Sequence, residues 1–406
     1  MVRTKLTVIA SGLVCVEWIE FSLYMYLGTL LAASFFPADL GRERLILTYG
    51  IFAISYLAHP LGGLMFGLFS DRFGRKRPLI ASALLMGLST ISIGCLPDFS
   101  VIGYSAPILL LVFRLMQSFS VSGEFNNSSI FLIEHHARSK ILAGSWVGTS
   151  ASGGMFIGGF TAYLVSGSHH LSAWRLAYIA IVFLSLFLVV LRKRLHESPE
   201  YLNSVIELKQ SFRQTLALLF SAHKARMLCI VAIAVFMNVY IYTASVYFMS
   251  FMVSYGGYTL GKASLIVSII QGLTTLCIPI AELIAERVHY QKMMKFFILQ
   301  MCCATPLLFY SASHHHTVLL FVGLLLYLVA NAWISATVFY FTCNQLPVRV
   351  RCTGTSVSWS LSAALFGGTA PMLAAFLVDR GLTYMPSVYV LIVGIFAWLA
   401  IRYSQA

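Results

Sequence analysis

The stretch Gly67-Leu68-Phe69-Ser70-Asp71-Arg72-Phe73-Gly74-Arg75-Lys76-Arg77 decides the fold of this chain. Apolar runs of membrane-spanning length flank it, residues 51–69 before it and residues 78–96 after it. A connection of about seven residues is too short to fold as a domain, so it forms a tight turn at a membrane surface. Its four basic residues predict that this surface is the cytoplasmic one.

Composition also indicates a membrane protein. Of the 406 residues, 59% are apolar and only 10% are charged, whereas a soluble domain carries about 25% charged residues. The long continuous apolar runs favour helices over the alternating strands of a barrel, and a span needs roughly 20 residues. The predicted spans are residues 6–34, 48–69, 78–96, 104–131, 142–167, 174–192, 224–254, 259–285, 292–312, 316–343, 353–378 and 384–402.

The placement of basic residues predicts the orientation of these spans. With the N-terminus in the cytoplasm, 21 of the 27 Lys and Arg residues fall on the cytoplasmic side, five fall outside, and Arg114 lies within the membrane. This asymmetry predicts that both termini are cytoplasmic. The net charge of +13 therefore reflects topology and contact with the lipid bilayer, and we expect no binding of nucleic acid.

A polar stretch divides the twelve spans into two sets of six. Glu286-Arg287 follows Asp71-Arg72 by 215 residues, and Trp359 follows Trp146 by 213 residues. Offsets that agree in this way predict a duplicated six-helix unit. The predicted units are an N-terminal six-helix bundle (1–192), a cytoplasmic linker (193–223) and a C-terminal six-helix bundle (224–406).

Three charged residues inside the spans predict a functional cavity. Glu17 and Glu20 lie three residues apart and share one helix face, and Arg114 is the only base placed deep in a span. Such groups are costly in a bilayer, so we expect Glu17 and Glu20 to bind a proton or a cation in a central cavity, and Arg114 to meet an acid or a substrate anion there. The alternative is that each carboxylate only bonds a neighbouring helix.

Polar and aromatic side chains near mid-depth are candidates for the cavity wall. Most aromatic residues in spans serve packing, and a lone histidine is more often a packing residue than part of a site. The residues predicted to bind the substrate are Trp18, His59, Arg114, Gln117, Asn238, Tyr242 and Gln271.

Cofactor and enzyme chemistry have little support in the sequence. The eight cysteines have no paired spacing, which is typical of small buried residues rather than of a disulfide framework or a metal site. The run His314-His315-His316 is interpreted as a solvated loop. No nucleophile motif or phosphate-binding loop occurs in the sequence, so we expect no enzyme activity, no cofactor and no metal.

The order of residues in the opening stretch resembles the loop between helices 2 and 3 of the major facilitator superfamily. Further motifs resemble its metabolite:proton symporter family, which includes proline/betaine, α-ketoglutarate, citrate and shikimate carriers. These motifs are Glu17-Trp18-x-Glu20-Phe21, Pro60-Leu61-Gly62-Gly63, Arg114-x-x-Gln117-x-Phe119-Ser120-x-x-Gly123-Glu124, Gly144-Ser145-Trp146, Trp174-Arg175, Glu197-Ser198-Pro199 and Phe366-Gly367-Gly368-Thr369-Ala370-Pro371.

The resemblance implies an all-α integral membrane protein with twelve transmembrane helices in two six-helix bundles. It also implies alternating access and uptake driven by a proton gradient, in a bacterial inner membrane. We expect a monomer whose partners are a small-molecule solute, protons and the lipid bilayer. The alternatives are an uncoupled facilitator or exporter and a nutrient sensor that binds without transporting.

One departure from the family bears on the substrate. The family usually has arginine before Pro-Leu-Gly-Gly, where this chain has His59. A cavity with one fixed cation suits a single carboxylate better than a dicarboxylate, because Arg114 can hold one carboxylate in a bidentate pair. The sequence therefore favours an amino acid, a betaine-like zwitterion or a monocarboxylate, with His59 tuning binding near neutral pH.

The opening stretch is also predicted to act as a conformational latch. We expect Asp71 to face the N-terminus of helix 11 near Thr353, and Arg75 to meet Glu134. Contacts of this kind form in one access state and break in the other. The predicted latch residues are Asp71, Arg72, Gly74, Arg75, Glu134, Arg138 and Arg351.

Overall fold

The structure is a computed structural model that describes residues 2–40, 43–136, 139–166, 173–193, 196–198, 200–202 and 212–404. In these residues each predicted span is helical and no strand occurs. The helices that correspond to the predicted spans are α1 (Val2–Tyr26, followed after Leu27 by Gly28–Phe35), α2 (Glu43–Ser55 and His59–Phe73), α3 (Lys76–Gly94), α4 (Ser105–His135), α5 (Lys140–Ser166), α6 (Ala173–Arg192), α7 (Lys224–Ile241 and Phe248–Ser254), α8 (Leu260–Ala285), α9 (Tyr290–Ser313), α10 (Thr317–Asn344), α11 (Arg351–Ser362 and Ala370–Asp379) and α12 (Met385–Tyr403).

Eleven helices in the described part of the chain are long and apolar enough to cross a membrane. The remaining membrane-length helix is α5, whose 27 residues include six glycines and four serines that lower its hydropathy. Its length still exceeds the roughly 20 residues that a span needs. The chain is therefore an all-α, multi-pass membrane protein, as the sequence predicted.

The glycines of α5 allow it to pack closely against helices from both ends of the chain. A Cβ at Gly154 would lie 2.4 Å from the carbonyl oxygen of Cys15 on α1. A Cβ at Gly148 would lie 2.9 Å from the carbonyl oxygen of Ser335 on α10. Small residues at such crossings are typical of membrane helices, because close packing replaces the hydrophobic driving force.

Three helices are interrupted near their middles. A 3₁₀ turn, Tyr56–Ala58, divides α2, and π-helical turns divide α7 at Tyr242–Tyr247 and α11 at Ala363–Gly367. Turns of this kind displace the regular helix face and often mark functional sites. In this chain they direct Tyr56, Tyr242 and Ala363 towards one central cavity.

The outer surface carries large apolar side chains. Val318, Leu176 and Phe183 are 76%, 70% and 69% exposed in the isolated chain. Exposed apolar surface on this scale marks an interaction site in a soluble protein, whereas here it lies on helices that span a membrane. We therefore assign this surface to contact with lipid.

The polar stretch between α6 and α7 is only partly described. The residues of this stretch that the structure describes include a further helix, Phe212–Ala222, which buries Thr215 and Leu219. The predicted latch residue Arg138 and residues 203–211 of the predicted linker lie outside the described residues. The division of the chain into two bundles and a linker stays a prediction.

Candidate functional site

A central cavity lies between helices from the first and second halves of the chain. Its volume is about 90 Å³, and a single water molecule needs roughly 10–15 Å³, so the space suits a solute with on the order of ten non-hydrogen atoms. All seven residues predicted from the sequence to bind substrate line it: Trp18, His59, Arg114, Gln117, Asn238, Tyr242 and Gln271.

Arg114 is held in the cavity wall by uncharged neighbours. Its guanidinium lies 4.0 Å from the ring centre of Tyr24, and its Nη1 donates a 2.8 Å hydrogen bond to Oε1 of Gln117. Gln117 in turn donates to the hydroxyl of Thr90 at 2.8 Å. Arg114 is only 5% exposed, and it makes no ion pair with any carboxylate that the structure describes. A buried cation in this position can bind an anion from the cavity.

His59 is packed between an aromatic ring and a hydroxyl. Its ring stacks on Tyr56 with centroids 4.3 Å apart, and its Nδ1 lies 2.6 Å from the hydroxyl oxygen of Ser118. Ser118 thus supplies a hydrogen-bond partner for this histidine. This arrangement fixes the imidazole ring at the cavity wall.

The two acidic residues of α1 have different surroundings. Glu17 lines the cavity together with the neighbouring Trp18. Glu20 is completely buried and is not among the described residues that line the cavity. Spacing of three residues puts both carboxylates on one side of the helix, but the packing of α1 exposes only Glu17 to the cavity. Their role in proton coupling stays a prediction.

The second half of the chain supplies an amide and hydroxyl network. Gln271 donates to the hydroxyl of Ser245 at 2.9 Å, and Ser245 lies 2.5 Å from the hydroxyl of Tyr327. The Asn238 amide donates to the carbonyl of Ala234 at 2.8 Å. Gln271 and Asn238 thus contribute amide side chains to the cavity wall.

Two groups of contacting cavity residues were not predicted as contacts, and of their four members only Tyr242 was predicted from the sequence to line the cavity. The hydroxyl groups of Tyr56 and Tyr242 form a short hydrogen bond that joins α2 to α7. The rings of Phe125 and Trp359 lie 5.7 Å apart and join α4 to α11. The family-like Gly367-Gly368 could have indicated the first group, because a Cβ at Gly368 would lie 3.0 Å from Tyr56.

The last turn of α2, just before the loop to α3, is bound to the start of α11. The Asp71 carboxylate accepts hydrogen bonds from the backbone nitrogen of Thr353 at 2.8 Å, its hydroxyl at 2.7 Å, and the backbone nitrogen of Cys352 at 3.2 Å. The first backbone N–H groups of a helix have no hydrogen-bond partner within the helix, and a carboxylate placed beside them is favourable. The contact expected between Asp71 and α11 is therefore present.

Arg75 is fully buried at the centre of this loop. It forms ion pairs with Asp71 at 2.9 Å and with Glu134 at 3.2 Å, and it donates to the carbonyl of Val348 at 3.0 Å. The expected contact with Glu134 is therefore present as well. Because Val348 precedes α11, Arg75 links helices of the first half to the second half.

Other predicted latch residues surround this pair. Arg351 bonds Glu134 at 3.1 Å and Glu200 at 2.9 Å. Gly74 has φ of 96°, which favours glycine. The exposed Arg72 lies over the ring of Phe212 at 5.0 Å.

Two acidic residues that were not predicted complete the loop network. Glu197 accepts hydrogen bonds from the backbone nitrogens of Arg75 at 2.9 Å and Lys76 at 3.2 Å, at the start of α3. Glu200 accepts from Lys140 at 2.5 Å and from Arg351. Burial alone would raise the pKa of the Glu200 carboxyl, but these two hydrogen bonds outweigh it and hold that pKa below its ordinary value.

Metal ligation has no support within the described residues, where no group of three or more His, Cys, Asp or Glu side chains could hold a metal ion. The eight cysteines are all free, with Cys229, Cys302, Cys343 and Cys352 buried. The chemistry that this arrangement supports is reversible binding of a small polar solute.

Comparison with known proteins gives one family and related transporters. Residues 13–371 match the model of the Major Facilitator Superfamily. The glycine betaine/proline/ectoine/pipecolic acid transporter OusA of Dickeya dadantii is 28% identical, with 98% of this chain and 82% of that protein covered. The proline/betaine transporter of Salmonella typhimurium is 26% identical, with 93% of this chain and 79% of that protein covered.

Solved structures share the fold at low sequence identity. The proton:xylose symporter XylE bound to 6-bromo-6-deoxy-D-glucose superposes with a TM-score of 0.80 at 16% identity, covering 100% of this chain and 95% of that one. The human organic anion transporter MFSD10 superposes with a TM-score of 0.74 at 16% identity, covering 97% of this chain and 99% of that one.

Proposed function

The chain belongs to the major facilitator superfamily, and on that premise we propose that it takes up a zwitterionic or monocarboxylate solute together with protons. Family membership makes it a secondary transporter for small solutes and not an enzyme. The direction of transport, the proton coupling and the class of solute are the parts that we propose.

The surroundings of Arg114 carry the proposal. This guanidinium is buried in the cavity wall, and within the described residues no carboxylate neutralises it. A substrate carboxylate would supply the missing negative charge and could accept two parallel hydrogen bonds from the guanidinium. His59 stands where the family usually has a second arginine, so the cavity has one fixed cation. It therefore favours a solute with one carboxylate over a solute with two.

The rest of the cavity wall suits a positively charged group on the same solute. Trp18 and Tyr242 present aromatic rings, which attract ammonium and quaternary ammonium groups. Glu17 adds a carboxylate to the same wall. Proline and betaine, which appear in the names of the two related transporters, each combine one carboxylate with one cationic nitrogen. Both also fit the size of the cavity.

We assign proton coupling to the acidic residues of α1. Glu17 lines the cavity, and Glu20 is buried one turn further along the same helix. A carboxyl group that alternates between a closed cavity and water can load and release a proton in step with the solute. The predicted latch at Asp71 and Arg75 would then close the cytoplasmic side in one of the two access states.

We also propose a bacterial cytoplasmic membrane location with both termini in the cytoplasm. The excess of Lys and Arg on the side of the α2–α3 loop supports this orientation. A reporter that is active only in the cytoplasm, fused after Tyr403, should be active. The same reporter inserted between α9 and α10 should be inactive.

Uptake into proteoliposomes tests the class of solute. We expect accumulation of proline or glycine betaine, weaker inhibition by a monocarboxylate such as lactate, and little inhibition by succinate. Arg114→Gln should abolish binding, whereas Arg114→Lys should retain part of it because the charge remains. His59→Arg should increase inhibition by succinate. Strong succinate binding by the wild type, unchanged in His59→Arg, would overturn the proposed solute class.

Uptake with and without an imposed pH gradient tests the coupling. The Glu17→Gln and Glu20→Gln double variant should lose accumulation driven by the gradient and keep exchange of internal for external solute. Exposed Glu43, changed to glutamine, is the matched control and should behave like the wild type. Undiminished accumulation in the double variant would remove these residues from the coupling mechanism, and uptake independent of the gradient in the wild type would favour a facilitator.

A further inference from the structure

The end of α8 on the α2–α3 loop side contains a buried acid that the transport cavity does not use. Glu282 is completely buried. Neither of its carboxylate oxygens has a hydrogen-bond partner among the described residues, and both are sealed from water. It is also absent from the residues that line the cavity. An ionised carboxylate in such surroundings is strongly destabilising.

The charged group next to Glu282 has the same sign. Glu286 lies four residues, or one helical turn, further along and is exposed at the helix end. Two carboxylates at this distance cannot both be ionised without repulsion, and they are stabilised when one proton is shared between them. The exposed member of the pair gives the buried member a route to water.

The helices packed against this end of α8 supply no positive charge to Glu282. Helix α8 packs against α5 and α10, where Ala281 contacts a small apolar cluster with Ala332 and Ala336. The titratable groups at the corresponding ends of the neighbouring elements are Lys140 on α5, Tyr340 and Cys343 on α10, and His289, Tyr290 and Lys292 at the start of α9. Lys140 is paired with Glu200 instead, and none of the described groups donates a hydrogen bond to Glu282.

We propose that Glu282 and Glu286 form a proton-binding site at the cytoplasmic end of α8. With one shared proton, Glu282 is neutral and α8 packs tightly against α5 and α10. When the proton leaves through Glu286, an uncompensated charge remains in the packed interface and favours separation of these helix ends. The site thus makes opening of this side depend on cytoplasmic pH, and it does so independently of the coupling proposed for Glu17 and Glu20.

Infrared difference spectroscopy of the purified full chain in lipid nanodiscs tests the protonation directly. At neutral pH we expect a protonated-carboxyl band, shifted in heavy water, that is lost in Glu282→Gln and retained in the Glu43→Gln control. Glu286→Lys should also remove the band, because a cation one turn away stabilises the ionised form of Glu282. That second variant changes only an exposed position, so it remains informative if Glu282→Gln folds poorly. A band unaffected by both variants would overturn the proposal.

Hydrogen–deuterium exchange of residues 277–290 tests the effect on packing. At mildly alkaline pH the wild type should exchange faster than Glu282→Gln, because only the wild type acquires a buried charge. At mildly acidic pH the two proteins should exchange at the same rate. Since each comparison is made at one pH, the intrinsic exchange rate cancels. Equal rates at both pH values would contradict a link between this proton and opening.

Discussion

The Asp71 end of α2 and the Glu286 end of α8, which the predicted sequence repeat makes equivalent, differ in how their acids are stabilised. Asp71 receives three hydrogen bonds from the start of α11 and an ion pair from Arg75. Glu286, 215 residues later, is exposed and accepts no hydrogen bond from the described residues of α5. Positions that the predicted repeat makes equivalent therefore do not have the same electrostatic role.

A single residue one turn earlier explains much of this difference. Gly67 lies against α11 so closely that a Cβ there would be 2.8 Å from the Cα of Thr353. The close approach allows Asp71 to reach the first backbone nitrogens of α11. The residue that corresponds to Gly67 in the second half is Glu282, whose side chain fills the space between helices. The contact of α2 with α11 is stabilised by a helix N-terminus and an arginine. We propose that the packing at the end of α8 is stabilised by a shared proton.

Among the variants that test this comparison, removal of Arg75 should lower the free energy of unfolding the most. Arg75→Ala leaves Asp71 as a buried anion without an ion-pair partner and leaves Glu134 with Arg351 alone, and breaking a buried pair in this way costs about 3–5 kcal/mol in the free energy of unfolding. Thermal unfolding in detergent measures the loss. Arg72→Ala is the control, because Arg72 is exposed and contacts only aromatic rings in the described residues. Equal losses in the two variants would contradict a central role for Arg75.

Neutralising Asp71 should shift the balance between access states with less effect on folding. Hydrogen bonds to a charged group contribute about 1.5–3 kcal/mol, so Asp71→Asn should favour the open cytoplasmic side by a similar amount and slow turnover. The measurement is labelling of Met86→Cys in the cavity by an impermeant maleimide in inside-out vesicles, against the background of native cysteines. Glu286→Gln should change the labelling much less. Identical labelling of the Asp71→Asn protein and its parent would contradict the latch.

Adding one methyl group at Gly67 tests the role of close approach. Gly67→Ala should destabilise the closed state by about 1–3 kcal/mol, because the Cβ would overlap the backbone of Thr353. Gly50→Ala is a matched control in the same helix, since nothing lies within 4 Å of its Cβ. That control should be neutral or stabilise the helix by about 0.5–1 kcal/mol. If both variants had the same effect on thermal unfolding, the contact would not depend on the missing side chain.

The outermost ion pairs should have the smallest effect. Glu200→Gln should cost less than about 1 kcal/mol at neutral pH, because partly exposed pairs contribute little. The folded-state pKa of Glu200 lies below its ordinary value of 4.5, so its stabilisation is present above that pH and is lost as the pH falls further. The difference in unfolding temperature between wild type and variant should therefore disappear in acid. A difference that grows on acidification would contradict this sign.

Much of the architecture could be predicted from local sequence. A run of apolar residues forms a membrane helix because the bilayer leaves backbone groups no other partners, so the twelve spans follow from composition alone. The sequence also predicts the tight turn between α2 and α3, because the apolar runs on both sides leave it only a few residues; in the structure the turn is shorter than the predicted seven residues, since α2 continues to Phe73 and α3 begins at Lys76. Arg114 and Trp18 reach the cavity because polar and charged side chains in a span avoid lipid.

Contacts between distant residues depended on how the helices pack. The spacing of Glu17 and Glu20 predicts a shared face, but only the packing of α1 decides that Glu17 reaches the cavity and Glu20 does not. The bond between Tyr56 and Tyr242 joins residues 186 positions apart, and the burial of Glu282 depends on α5 and α10. Periodicity determines the direction of a side chain from its own helix axis, whereas the neighbour that it meets is set by the other helices.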